Sequence, residues 1–251
     1  MRGFVFLLTC FISGHALAIV NIENLRMDEN KIGFSTSTTV SANGKRGNTE
    51  EDKYALNGGI QWINHDRQRR DLLLFSAKQD QANGDTYSEA YFLHLRHTEQ
   101  LTEDWAWETY VQHQSEPLNQ KSLRQLVGMN ARVRLQSFPF NGFGGLGLMY
   151  EERSIEPVGA EIIERDATRL NLYLNSKYAL TENTQWAISL YAQPNVEETD
   201  DVRSIASSGI TTRINSLFAF TFDVSYSHDS RPLLGQKETD WTYSTGINLR
   251  F

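Results

Sequence analysis

Trp241-Thr242-Tyr243-Ser244-Thr245-Gly246-Ile247-Asn248-Leu249-Arg250-Phe251 closes the chain, and its reading decides the fold. Trp241, Tyr243, Thr245, Ile247, Leu249 and Phe251 hold one parity; Thr242, Ser244, Gly246, Asn248 and Arg250 hold the other. A strand sends successive side chains to opposite faces, so this period of two describes one apolar face and one polar face. The preceding segment repeats it, with Phe218, Phe220, Phe222, Val224 and Tyr226 against Ala219, Thr221, Asp223, Ser225 and Ser227. Leu170, Leu172 and Leu174 against Arg169, Asn171, Tyr173 and Asn175 make a third case.

Carried along the chain, the alternation predicts twelve strands, at residues 33–42, 54–64, 70–77, 87–97, 104–114, 123–136, 142–151, 168–178, 185–193, 203–214, 217–227 and 241–251. In the third, Leu72, Leu73, Leu74 and Phe75 run consecutively and leave its facing open. Long connections (43–53, 78–86, 115–122, 152–167, 194–202 and 228–240) follow the odd strands, and shorter ones, down to 215–216, follow the even strands. An even strand count with both ends on the short-turn side predicts an all-β fold: a single antiparallel transmembrane β-barrel of the bacterial outer membrane, with short periplasmic turns and longer extracellular loops.

Composition bounds the alternatives. The chain has 251 residues, 39% of them hydrophobic and 22% charged, and a formal net charge of −7. A mean hydropathy of −0.47, without an internal apolar run long enough for a spanning helix, excludes a helical membrane protein and leaves barrels open. The acidic balance argues against nucleic acid as a partner, because phosphate binding needs a basic face.

Aromatic rings give an independent check, since they collect where a membrane meets water. In this topology Trp62, Trp105, Trp107, Trp186 and Tyr178 fall at periplasmic strand ends, and Tyr54, Tyr91, Tyr150, Tyr226 and Tyr243 at outer ends, all on the lipid-facing parity. The rival is a soluble β-sandwich or lipocalin-like barrel with the apolar parity inside. It leaves the sorting of rings to strand ends without a reason.

The first eighteen residues, MRGFVFLLTCFISGHALA, combine Arg2, an apolar core from Phe4 to Ile12 and the small-x-small end Ala16-Leu17-Ala18. This reads as a secretory signal peptide (1–18), followed by a periplasmic segment (19–32) and the barrel (33–251). A lipoprotein signal acylated at Cys10 is the rival, and only nine residues precede that cysteine. Cleavage after Ala18 removes the chain's one cysteine, so the mature protein holds no disulfide.

Several motifs carry a family resemblance. Gly44-Lys45-Arg46-Gly47-Asn48-Thr49-Glu50, His94-Leu95-Arg96-His97, the run Trp105-Ala106-Trp107-Glu108-Thr109-Tyr110-Val111-Gln112-His113-Gln114, and Leu123-Arg124-Gln125-Leu126-Val127-Gly128 resemble the YdiY-like family of salt-induced outer-membrane proteins. The similarity runs through most of the mature chain and is clearest from Gly33 to Tyr150. Tyr243, Ile247, Leu249 and Phe251 look like the assembly signal of Gram-negative outer-membrane proteins. The resemblance implies a barrel, its compartment, and an envelope or osmotic (salt) stress role; the family's activity is undefined, so no catalytic residue carries over.

Chemistry is therefore sought on the lumenal parity. Arg96, Arg124, Arg132, Arg134, Arg169, Lys177, Arg213 and Arg250 face Glu108, Glu151 and Asp223 there, a cationic excess in an acidic protein. One reading is a pore for small anionic solutes. The other is a closed lumen in which these side chains pair, because a desolvated arginine needs partners and twelve strands enclose a modest space. The pairing reading is preferred. The acidic surplus lies in loops, at Glu50-Glu51-Asp52, at Glu151-Glu152 with Glu156, Glu161, Glu164 and Asp166, and at Glu197-Glu198 with Asp200-Asp201. Solvated, mutually repelling loops explain it; divalent cations bridging to lipopolysaccharide are the sharper alternative.

His113-Gln114-Ser115 and His228-Asp229-Ser230 loosely resemble an outer-membrane phospholipase arrangement, but lack the flanking Gly and Asn-Gly of that family. His94 and His97 lie on opposite faces of one strand and form no metal pair. No catalytic set, metal or cofactor is expected. The partners expected are outer-membrane lipid, lipopolysaccharide and the barrel-assembly machinery.

Overall fold

Period-two alternation builds every element of the computed structural model, which describes residues 31–249 apart from 49, 119–120, 137–140, 158, 216–217 and 233–236. The signal-peptide expectation, most of segment 19–32, and Arg250 and Phe251 lie outside the described residues. So do the side chains of Ile247 and Leu249, whose backbones pair with Phe220 and Phe218.

Among the described residues the strands are β1 (Gly33–Lys45), β2 (Glu51–Ile63), β3 (Arg69–Ala82), β4 (Asp85–Gln100), β5 (Trp105–Glu116), β6 (Ser122–Leu135), β7 (Gly142–Ile155), β8 (Ile163–Ala179), β9 (Thr184–Pro194), β10 (Val202–Arg213), β11 (Phe218–Asp229) and β12 (Thr239–Leu249). They form one antiparallel sheet in sequence order. No pairing joins β1 to β12 among the described residues.

The sheet curls. Arg153 on β7 donates to Asp229 on β11 at 3.0 Å, although strands about 4.8 Å apart would hold the two about 19 Å from each other in a flat sheet. Curling gives an inner and an outer face, and their polarity is inverted relative to a water-soluble core. Buried on the inner face are Gln112, Gln114, Arg124, Asn130, Arg132, Glu151, Arg169 and Asn171. Exposed on the outer face are Leu93, Leu95, Val111, Val127, Met129, Leu148, Leu172 and Leu190. Apolar contact inside is confined to three small clusters: Leu72, Leu74 and Phe92; Tyr110, Leu126 and Met149; and Tyr173, Tyr191 and Ile205. The ambiguous run in β3 thereby resolves, with Leu72 and Leu74 inside.

Two expectations need correction. The expected long connection 78–86 is a two-residue turn: β3 runs on to Ala82, β4 starts at Asp85, and Asn83 and Gly84 take φ values of 52° and 88°. Positive φ at both central residues is the type I′ hairpin geometry that Asn-Gly favours. Likewise β7 continues to Ile155 and β8 begins at Ile163, narrowing 152–167 to 156–162. Strand pairing outlasts the apolar alternation, because outward positions such as Glu152, Glu164 and Asp166 are polar there. For the same reason Tyr91 and Tyr150 lie inside β4 and β7 rather than at their ends.

Candidate functional site

Two buried carboxylates organise the inner face. The first is Glu108, near the start of β5 and fully buried. Arg132 on β6 donates to Oε1 at 2.8 Å, and Tyr173 on β8 donates its hydroxyl to Oε2 at 2.6 Å. Arg96 on β4 approaches to 3.6 Å. The Arg132 guanidinium also lies 3.6 Å over the Phe143 ring centroid, a cation–π contact that satisfies its face while its edge donates.

Tyr173 reaches β5 across two intervening strands because glycine clears its path. A Cβ at Gly145 on β7 would sit 2.0 Å from the Tyr173 ring, and one at Gly128 on β6 would sit 2.4 Å from the Tyr110 ring. Absent side chains here are what allow a close approach from the next strand. Between the carboxylates, Asn171 donates to the Tyr110 hydroxyl at 2.9 Å and accepts from Gln193 at 3.0 Å.

The second centre is Glu151 on β7, buried at the end of the fold that carries the 195–201 connection. It accepts from Arg124 (β6) at 2.9 Å, Arg169 (β8) at 2.6 Å and Arg203 (β10) at 2.8 Å. Arg169 also reaches Asp201 at 2.7 Å, while Arg203 and Arg153 share Asp229 at 3.0 Å each. The charges thus clamp five strands and one connection together, each guanidinium giving a carboxylate one charge-assisted hydrogen bond, with Arg169 and Arg203 dividing their donors between two carboxylates.

The structure brings together only part of the set read from sequence. Arg96, Glu108, Arg124, Arg132, Glu151 and Arg169 meet in the two centres. Arg134, Lys177 and Arg213 share their parity but are exposed, standing at strand ends next to the even-to-odd connections. Asp223 is half-buried on β11 and makes no ion pair among the described residues, so its expected pairing with lumenal cations is not what holds this wall. Its carboxylate lies against Gly209, where a Cβ would stand 2.3 Å from it.

Sequence reading missed Arg153, Arg203, Asp201 and Asp229. Extending the seventh strand by two residues would have placed Arg153 beside Glu151 on the same face; Asp201 and Asp229 fell in or at the edge of expected loops. With them the inner charges come close to balance, and the cationic excess shrinks. The acidic stretches are not simply repelling either: Asp52 pairs with Arg46 at 2.8 Å, Glu156 with Lys121 at 2.7 Å, and Asp200 with Arg231 at 2.7 Å.

Of the aromatic set, Trp105, Tyr54, Tyr91, Tyr150 and Tyr243 are exposed on the outer face, and Trp62, Trp107, Trp186, Tyr178 and Tyr226 are half-buried. Trp107 stacks edge-on against His97 at 5.7 Å, and Tyr226 meets Trp241 at 4.6 Å. Neither histidine–serine pair assembles a relay: His113 meets Gln125 at 3.2 Å, His228 meets Thr239 at 3.5 Å, and Ser230 donates to the Asp200 carbonyl at 2.9 Å. His94 is buried beside Gln112, whereas His97 lies on the other face against Asp71. Among the described residues no group of three or more metal-ligating side chains stands ready for an ion.

A curled antiparallel sheet with a charged interior and an apolar exterior defines the class of protein. Residues 38–251 match the family described as "Protein of unknown function, DUF481", and the chain belongs to that family, the one its YdiY-like motifs resemble. No curated protein matches the chain. Among solved structures it is similar to the translocator domain of autotransporter NalP from Neisseria meningitidis, at 11% identity over 91% of both chains with a TM-score of 0.47. It is also similar to the NanC porin, at 7% identity over 85% of this chain and 100% of that one, TM-score 0.45. A third is the beta domain of the Bordetella autotransporter Brka, at 12% identity over 87% and 99%, TM-score 0.38.

Proposed function

We propose that β12 closes on β1 and that the chain sits in the outer membrane as a twelve-stranded, non-enzymatic barrel whose interior is braced rather than open. The observation that carries this reading is the inverted polarity: Leu93, Leu95, Val127, Met129 and Leu148 exposed outside, Arg124, Glu108 and Glu151 buried inside. A continuous apolar exterior of this extent in water would be an aggregation surface, and in lipid it is the ordinary exterior of a barrel. Closure removes the two free sheet edges, as backbone groups in hydrocarbon require.

The interior bonds support a braced lumen. Tyr173 to Glu108 and Arg203 to Glu151 run between strands that are not neighbours, and a wide porin path has no room for them. The 230–238 and 195–201 connections face outward and both chain termini face the periplasm. Outer-membrane lipid, lipopolysaccharide and, during biogenesis, the barrel-assembly machinery are its partners. An envelope role under salt load is carried over from the family resemblance.

The test is reconstitution of the full mature chain into lipid vesicles. Heat-dependent gel mobility and quenching of Trp105 by brominated lipid are the expected signs of insertion, with sucrose excluded in a swelling assay. A monodisperse protein that stays in water without detergent would refute the barrel; fast sucrose entry would refute the braced interior and favour a solute channel.

A further inference from the structure

The long-connection end of the fold holds a polar cavity of about 670 Å³, within the usual size range of small-molecule sites. Its floor is made of Glu151, Arg153, Arg169, Asp201 and Arg203. These floor groups are already spent on one another and on Asp229, so the floor is rigid and offers little free charge. Arg231 in the wall is likewise spent, on Glu198 and Asp200.

Four charged wall groups make no ion pair among the described residues: Glu164, Arg165, Asp166 and Glu197. Glu164 and Asp166 stand on the outward parity of β8, where Asp166 accepts from the Tyr150 hydroxyl, which leaves Arg165 and Glu197 to face the cavity. Arg165 lies on the inner parity of β8, two residues before Ala167 and four before the buried Arg169, and among the described residues its guanidinium donates to the Arg231 carbonyl alone, at 3.1 Å. It makes no ion pair among the described residues. Glu197 stands in the 195–201 connection; its backbone N–H is held by Asn195 at 3.0 Å, and its carboxylate has no partner among the described residues. On the inward side, the Arg165 guanidinium and the Glu197 carboxylate therefore line the same cavity, above a floor whose charges are neutralised.

We infer that this cavity binds a small zwitterion of the amino-acid type, its carboxylate on Arg165 and its ammonium group on Glu197. A guanidinium takes a carboxylate through paired N–H donors, and the carboxylate answers a primary ammonium group. A simple anion or cation meets only one of the two and leaves the other charge facing a like or absent partner. Specificity for the dipolar ligand comes from that mismatch. The inference does not depend on closure or on membrane insertion, because the cavity is lined by β7, β8, β10 and the connections beside them, with no residue of β1 or β12.

The experiment is calorimetric titration of the full mature chain, in detergent micelles, with the ω-amino acid series from glycine to 6-aminohexanoate, and with butyrate and butylamine as single-charge controls. Affinity is expected to peak at one chain length and to exceed both controls by at least about tenfold. Arg165→Glu and Glu197→Arg should each abolish that binding, and the double exchange should restore it with the ligand reversed. Both side chains are at the solvent-exposed rim, so unchanged thermal midpoints will show that the variants fold. A flat series, equal binding of butyrate or butylamine, or single variants that bind like the parent would each overturn the site.

Discussion

Replacing Glu108 with Gln tests the interior most sharply, because it removes one charge and almost no volume. Glu108 is 0% exposed, with Arg132 and Arg96 buried beside it at 3% and 4%. Gln keeps a carbonyl oxygen for one of Arg132 or Tyr173 but takes from both guanidiniums the charged carboxylate they share. Breaking a buried pair in this way costs about 3–5 kcal/mol; the Phe143 ring under Arg132 recovers part of that, so about 3 kcal/mol is expected. With a urea slope near the upper end of the usual ~1–3 kcal/mol/M, the unfolding midpoint should fall by about 1 M. Asp223→Asn is the matched control: the same chemistry at a half-exposed site with no ion pair, where a change below about 0.5 kcal/mol is expected. Tryptophan fluorescence of the refolded chain in detergent, read against urea, reports both. Equal midpoints for the two variants would refute the assignment of Glu108 as a brace.

Further outcomes follow from the same geometry. Glu151→Gln takes away the carboxylate that three guanidiniums share, stranding Arg124 while Arg169 and Arg203 keep Asp201 and Asp229, and should destabilise by about 3–5 kcal/mol in the same urea assay. Tyr173→Phe removes one hydrogen bond to a buried charge and should cost about 1.5–3 kcal/mol in thermal or urea unfolding. Leu172→Arg on the outer face should cost about 2–4 kcal/mol when unfolding is measured from lipid vesicles, whereas Ser225→Arg, half-exposed on the inner side of β11, should cost well under 1 kcal/mol; equal costs would reverse the faces. A chain lacking residues 241–251 should fail to accumulate in the outer membrane, checked by fractionation, because β11 would be left with an open edge.

The alternation was legible wherever the outer face is apolar. Leu93, Leu95 and Leu172, Asn171 and Glu108 all stand on the faces their parity gives them, because a period of two leaves a strand no other way to segregate its side chains. Strand ends were not legible. Residues 78–82 and 163–167 pair as strand while facing polar surroundings on both sides, so their hydrophobicity carries no period, and only Asn83-Gly84 marked the turn between β3 and β4. The charge set was half legible for a different reason. Parity tells which residues point inward, but which carboxylate meets which guanidinium depends on how tightly the sheet curls. Asp229 meeting Arg153 across non-adjacent strands is a product of curvature, invisible to any local window. Asn171 illustrates the same limit: its inward parity reads as a tolerant lumenal position, yet its amide is wedged between Tyr110 and Gln193, so an arginine there would be as disruptive as one outside.

The vacancy at Gly145 ties the fates of two positions. Any side chain at 145 evicts the Tyr173 ring from its route to Glu108, and any lineage that first trades Tyr173 for a smaller residue opens a void over Gly145 that a larger residue can then fill. Neither exchange is neutral alone, and the order in which they occur decides whether the intermediate is strained or hollow. Among related sequences the two positions should therefore change together or not at all, a form of epistasis written by the width of one aromatic ring.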